Sequence, residues 1–250
     1  MSQCTVLVVF SILFGVTYAA LPLPSFVKAC SFNDPNLNEC AKKSAIAAIP
    51  EFVKGNAKYR IPSVDPLAIE SMHIQQGTGS VGLTLDSRNC LMHGLKNVDV
   101  QAIRIDPIKY HTEYDWFFPQ ITMKCDYNVK GRVLLLPIQG EGKSIYVLNN
   151  VIGNYTYDYD LIKKEDNLEY AVPKNPKLVF KTQELKINLE NLFNGNKFLG
   201  DNMNTILNDN WEELMKDMGP AFSKALGDFI NQCLTNVYDL VPYEVATTAA

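Results

Sequence analysis

From Ile121 to Ile138 the chain offers eighteen residues that read as extended backbone without a break. That run limits the fold more than any other feature. Ile121, Met123, Cys125, Tyr127 and Val129 alternate with Thr122, Lys124, Asp126, Asn128 and Lys130, the two-residue period of a strand with one dry face. Then the alternation stops, and Val133, Leu134, Leu135, Leu136 and Ile138 are apolar on both faces. At ~3.4 Å per residue, one strand of this length would reach about 60 Å, far beyond an ordinary strand. A sheet built on it has to twist and curve and wrap around something. The extra apolar face at Leu134, Leu136 and Ile138 then needs a covering layer or a path through the core.

The C-terminal segment supplies the object to be wrapped. Asn210 stands where a helix N-cap is wanted, and Glu212 and Glu213 suit the positive end of a helix dipole. Trp211, Leu214, Met218, Phe222, Leu226, Phe229, Cys233 and Val237 follow at helical spacing, and Pro242 marks the stop. This is about 30 residues, or ~45 Å of helix, with a kink expected at Gly219-Pro220. A second, shorter helix is read over Asn36 to Val53, where Leu37, Ala41, Ala45, Ile49 and Phe52 share a face and Pro50 ends or kinks the last turn. Between Leu67 and about Leu189 the pattern is strand after strand, including Val81, Leu83 and Leu85, then Tyr155, Tyr157 and Tyr159, then Leu185, Ile187 and Leu189. Turn signals fall at Gly77–Gly79, Pro107, Gly140–Gly142 and Pro173–Pro176. The class is α+β: a long C-terminal helix wrapped by a long, highly curved antiparallel sheet, with a short N-terminal helix.

Residues 1–19 read as a secretory signal peptide. Val6 to Val16 is almost wholly apolar but too short to span a bilayer, and Thr17 and Ala19 form a small-x-small cleavage site before Ala20. Residues 20–250 are then a single domain. A net charge of −4 and a pI near 5.4 leave no electrostatic footprint for nucleic acid. No basic cluster or further membrane-length run supports stable membrane insertion. Cleavage removes Cys4 and leaves Cys30, Cys40, Cys90, Cys125 and Cys233, an odd number. Pairing Cys30 with Cys40 would close a short loop at the entry to the first helix, worth about 3 kcal/mol. Cys125 and Cys233 fall on apolar faces and read as buried thiols; a Cys90–Cys125 bridge is an alternative that spacing does not decide.

Catalytic signals fail one by one. Gly77-Thr-Gly79-Ser-Val-Gly82 has the form of a dinucleotide fingerprint, but strand pattern continues at Leu83 where a helix is required. Gly142-Lys143-Ser144 ends like a phosphate-binding loop, but Pro137 occupies the position of its first glycine. His73, His93 and His111 have no metal-ligand spacing and read as half-exposed strand or loop residues. Nothing assembles a nucleophile, a base and an orienting group. No metal, cofactor or enzymatic activity is expected.

Four segments together resemble the takeout / juvenile-hormone-binding protein family of insects. They are IPSVDPLAIESMHIQQG (Ile61–Gly77), YNVKGRVLLLPIQGEG (Tyr127–Gly142), NLFNGNKFLGDNMNTILNDNW (Asn191–Trp211) and VPY (Val241–Tyr243). They follow the family's order over nearly the whole mature chain. The resemblance implies a long helix wrapped by a curved sheet, as in tubular lipid-binding proteins, and a disulfide between Cys30 and Cys40. A second disulfide, present in a member that carries juvenile hormone, has no clear equivalent here. The resemblance further implies a secreted carrier of a small hydrophobic ligand: a juvenile hormone, a fatty acid, or a similar terpenoid or lipid. The alternative is an extracellular signalling protein with a circadian, feeding or chemosensory role and a merely structural cavity. A cell-surface receptor or another carrier protein is the partner class left open. The ligand site is expected between the helix stripe and the odd-numbered strand face: Phe222, Leu226 and Phe229 against Met123, Tyr127, Val133 and Leu135. Tyrosines, Tyr127 above all, would supply the one or two polar groups such a pocket needs. Asn154-Tyr155-Thr156 is the only glycosylation sequon, which makes Asn154 the expected glycan site.

Overall fold

The computed structural model describes residues 20–76, 81–134 and 136–247. Residues 1–19, read as a signal peptide, the turn expected at Gly77–Gly79 and Leu135 therefore lie outside the described residues. Seven strands form one antiparallel sheet: β1 (Leu67–Gln76), β2 (Val81–His93), β3 (Asp99–Asp106), β4 (His111–Val133), β5 (Leu136–Lys163), β6 (Glu169–Lys181) and β7 (Glu184–Leu189). The order is β1-β2-β4-β5-β6, with β3 also on β4 and β7 also on β5. α1 (Leu37–Phe52), α2 (Lys197–Asp209), α3 (Trp211–Tyr238) and α4 (Tyr243–Thr247) complete the chain.

The continuous strand read from Ile121 to Ile138 is not one strand. The chain reverses after Val133, which pairs with Leu136, and Leu134 sits in the left-handed region at φ 52°. Two-residue hairpin loops usually carry Asn or Gly there; a pair of leucines gives no such signal. The loss of alternation is the signature of that reversal. Leu136 needs no covering layer, being 42% exposed, whereas Ile138 is buried. The strands are nevertheless very long, 23 residues for β4 and 28 for β5, because β4 extends back to His111 and β5 on to Lys163.

Only β4 and β5 run the full length of the sheet. β3 pairs with β4 over residues 111–117 and β2 pairs with it over residues 122–133. On the other side, β6 pairs with β5 over residues 152–163 and β7 over residues 144–149. The changeover on both sides falls at Pro119 and Asn150, which are missing from the β4–β5 register. Pro119 has no N–H to give, and Asn150 has φ 51°. The inward parity flips there in both strands. Tyr114, Trp116 and Phe118 face the interior before the break, and Ile121, Met123 and Val129 after it. In β5 the order is Tyr146 and Leu148, then Val151 and Tyr155. The odd-numbered face thus points inward only from Ile121 onward. We call the β1-β2-β7 side the aliphatic half and the β3-β6 side the tyrosine half.

Two of the turn signals prove to lie inside strands. Gly140 and Gly142 are in β5, where the chain at 190–192 crosses them. A Cβ on Gly140 would lie 2.9 Å from the Leu192 Cα, and one on Gly142 2.7 Å from the Glu190 carbonyl oxygen. Pro173 and Pro176 are in β6, where Asn175 and Pro176 oppose Tyr157 as a bulge.

Both short side strands have their free edges covered by helix side chains, a protection that edge strands need. Asn204 of α2 accepts from the Leu189 N–H at 2.9 Å and donates to its carbonyl at 3.0 Å; Asn208 does the same to Ile187 at 2.9 and 2.7 Å. On the other side, Asn38 of α1 accepts from the Ile105 N–H at 2.9 Å and Lys42 donates to the Gln101 carbonyl at 2.8 Å. The sequence reading had no α2; its function is in these amide side chains.

The long helix is present and runs through Gly219-Pro220. It ends at Tyr238, before Pro242, and Asn210 makes no side-chain cap: its amide donates back to the Ile206 carbonyl at 2.8 Å. Cys30 is bonded to Cys40, and Cys90 to Cys125. The second bond is the Cys90–Cys125 alternative that spacing left open, and it corrects the reading of Cys125 as a buried thiol. It joins adjacent strands β2 and β4, a proximity set by register that sequence spacing does not report. Cys233 is the free cysteine among the described residues.

Candidate ligand cavity

The sheet curves around α3 and leaves a cavity of about 530 Å³ between them. Leu214, Met218, Phe222, Leu226, Phe229 and Cys233 line it from α3. These are the spaced apolar residues of the helix, and they face the interior because the opposite face is charged. Leu83, Leu85, Val129 and Val133 line the aliphatic half; Tyr114, Trp116, Tyr155 and Leu178 line the tyrosine half. Ala45, Ala48, Ile49 and Phe52 of α1 close part of the wall. No Asp, Glu, Lys, Arg or His occurs among the described lining residues. A volume of this size lies in the 300–1,000 Å³ range of small-molecule sites.

Of the residues singled out from the sequence, Met123, Val133, Phe222, Leu226 and Phe229 line this cavity, and Leu135 lies outside the described residues. Tyr127 does not line it. Its hydroxyl comes within 3.0 Å of where a Cβ on Gly140 would stand and donates to the Glu190 carbonyl at 2.7 Å. Trp211 lies instead on a separate, more open groove of about 490 Å³ along β7. The α1 residues and the even-numbered face of β4 were not expected in the wall. The only sequence signal for the latter was the alternation of Tyr114, Trp116 and Phe118, whose phase relative to Ile121 cannot be read without the break at Pro119.

The tyrosine half is organised by its hydroxyls. Tyr157 and Tyr238 hydroxyls are 2.7 Å apart, and those of Tyr159 and Tyr243 are 3.0 Å apart. Tyr114 stacks on Tyr157, with centroids 6.2 Å apart and planes at 13°, and its hydroxyl belongs to the Tyr157–Tyr238 hydrogen-bonding cluster. Burial holds these phenols neutral. It pushes Tyr146 up to about 12 and raises Tyr155, Tyr157 and Tyr238 further. Burial likewise pushes the Cys233 thiol up to about 11. The wall therefore carries no charge at physiological pH.

The charged side chains described lie outside this lining. His111 bonds Asp158 through Nδ1 at 2.7 Å and Glu113 through Nε2 at 3.3 Å. The Asp158 bond chiefly holds its pKa above the usual histidine value. With both nitrogens bound to carboxylates, neither is free to act as a general base. Arg104 joins Glu113 and Asp115 in the same network, and Asn154 donates to Asp115 at 2.7 Å. Among the described residues no group of three His, Cys, Asp or Glu side chains is placed to hold a metal ion, and no helix is long and apolar enough to cross a membrane.

The sequence matches the profile of the family described as haemolymph juvenile hormone binding protein (JHBP) over residues 5–247. It is 25% identical to the circadian clock-controlled protein daywake of Drosophila melanogaster over 230 residues, covering 88% of this chain and 86% of that one. The daywake protein of Drosophila yakuba is 24% identical over 235 residues, covering 90% and 88%. Among solved structures, Takeout 1 of Epiphyas postvittana superposes with a TM-score of 0.77 at 27% identity, covering 86% of this chain and 97% of that one.

Proposed function

The chain belongs to the haemolymph juvenile hormone binding protein family, and from that premise we propose that it is a secreted carrier of a small hydrophobic ligand held in the cavity between α3 and the sheet. The observation that carries this reading is the cavity itself, about 530 Å³ with a wall of aliphatic and aromatic side chains. An apolar ligand placed there gains ~25 cal/mol for each Å² removed from water. Juvenile hormones, fatty acids and related terpenoids or lipids are the ligand classes considered. Met123, Val133, Phe222, Leu226 and Phe229 contact the ligand in this reading. In this reading the protein binds and releases its ligand without chemistry.

Secretion through residues 1–19 belongs to the same proposal, and two disulfides suit an oxidising compartment. So does a glycan on Asn154, which sits on the outer face of β5, opposite the buried tyrosines. Glycosidase treatment of the secreted protein is expected to increase gel mobility, and Asn154→Gln to abolish that change. The ligand is tested by organic extraction of the secreted protein and mass spectrometry of the extract, followed by titration of delipidated, folded protein with a fluorescent lipid. Co-purified lipid and saturable binding are expected. Folded protein that binds no lipid overturns the carrier reading in favour of an extracellular protein acting through its surface on a receptor or another carrier.

A further inference from the structure

The outer face of β5 carries an uncovered apolar patch around the Asn154-Tyr155-Thr156 sequon. Val151, Gly153 and Tyr155 line the cavity, so Ile152, Asn154 and Thr156 point outward. Leu178 and Phe180 line it from β6, and Trp116 and Phe118 from β4. That parity puts Val179 and Phe117 on the outside as well. Asn154 lies opposite Asp115 on β4 and Val179 on β6, and Ile152 lies opposite Phe117. Residues opposed in this way have Cβ atoms ~5 Å apart. Ile152 is 57% exposed and Val179 45%. Toward β3 the surroundings of Asn154 are polar, with Asp115 and Glu113 joined by Arg104. Isolated exposed apolar residues are ordinary, whereas a contiguous set marks a surface that something covers.

We propose that the first N-acetylglucosamine of the Asn154 glycan lies on this patch, over Ile152 and Val179 with Phe117 at its edge, as a built-in cover for the sheet. This rests on the glycan proposed above and gives it a structural role. In the transfer, the amide nitrogen gives up one proton and bonds the anomeric carbon of a polyprenyl-diphosphate-linked oligosaccharide. The diphosphate leaves with the electron pair of the broken C–O bond. One N–H stays on the nitrogen. Asn154 Nδ2 donates to Asp115 Oδ1 at 2.7 Å, and the N–H that stays keeps this bond. The sugar is then attached on the side away from β4, above Val179. Its C–H face and acetyl methyl meet the apolar side chains while its hydroxyls remain in water. Covering this surface stabilises the sheet in proportion to the apolar area removed from water. The occupant is the chain's own sugar and not a second protein, because a bulky glycan rising from the middle of the patch keeps a flat protein surface off it.

The test is a thermal cycle between the sugar and the patch. The full mature chain is made with its glycan in secretory cells and trimmed to one N-acetylglucosamine by endoglycosidase H. The same chain is made without glycan in an oxidising bacterial strain. Both forms are melted as wild type and as Ile152→Ser with Val179→Ser. The single sugar is expected to raise the Tm of wild type by about 3 °C and that of the double variant by less than about 1 °C. Taking differences cancels the direct cost of removing two strand-forming side chains. An equal sugar effect in both backgrounds, or none in wild type, overturns the packing while the glycan itself stands. A glycosylated wild type that is a dimer, dissolved by Ile152→Ser with Val179→Ser, assigns the patch to a second copy and also overturns it. Secreted protein unmodified at Asn154 overturns the glycan and its packing together and leaves the carrier reading untouched.

Discussion

The two halves of the sheet share β4, β5 and α3, yet they are held together differently. The aliphatic half buries Leu83, Leu85, Val129, Val133, Leu185 and Leu189, side chains that attract one another without direction. Its specificity comes from outside the core, where Asn204 and Asn208 grip the β7 backbone and the Cys90–Cys125 bond ties β2 to β4. The tyrosine half buries Tyr155, Tyr157 and Tyr159 against Tyr114, Trp116, Tyr238 and Tyr243. There the core itself is directional, because each tyrosine ring carries a hydroxyl that has to be placed. An apolar wall tolerates a hydrocarbon of any register, whereas a placed hydroxyl selects one end of it. One cavity can thus combine a permissive half with a discriminating half.

The largest expected effect erases the comparison. Phe229→Glu puts a carboxylate into the wall beneath both halves; lipid binding should be abolished and stability should fall by about 4 kcal/mol, read by urea unfolding and lipid titration. Retained binding would mean that α3 does not form the wall. Next comes the aliphatic half alone. Asn204→Ala with Asn208→Ala removes four backbone contacts and should cost about 3 kcal/mol, with hydrogen exchange at Ile187 and Leu189 rising while amides of β6 stay protected. Uniform loss of protection would show that the halves do not unfold separately.

Smaller effects sharpen the tyrosine half. Tyr157→Phe leaves the Tyr238 hydroxyl without its 2.7 Å partner and should cost about 1 to 2 kcal/mol; the double variant with Tyr238→Phe should recover part of it. The smallest effect is alkaline. Folded Tyr146 titrates near 12 and Cys233 near 11, above their ordinary 10.0 and 9.0. The unfolded chain therefore loses these protons first. Their contribution is fully present below pH 9 and is lost as pH rises through 11 to 12. At pH 9.5 stability should be down by about 1 kcal/mol, with phenolate absorbance appearing together with unfolding. Phenolate absorbance that rises well before unfolding would mean that the tyrosine half is wet.

Much of this was legible because it is local. The two-residue period of Met123 to Val129 and the helical spacing of Leu214 to Phe229 are properties of neighbouring residues, and each names a face that has to be buried. The signature segments pointed to the family, and with it to a helix wrapped by a sheet and to the Cys30–Cys40 bond. What the tertiary structure decided concerns partners distant in the chain. The reversal at Leu134 has no turn residue to announce it, and it appears only when Val133 is seen opposite Leu136. The flip of inward parity at Pro119 and Asn150 depends on strands changing neighbours on both sides at one level, which no window of sequence contains. The same holds for Asn204 and Asn208, which look like ordinary polar helix residues until β7 lies beside them. Tyr127 and Tyr155 have the same side chain and both lie in alternating runs. One is paired with the Glu190 carbonyl beside Gly140 and the other is left without a partner, because the fate of a buried hydroxyl is set by what packs against it and not by the residues on either side.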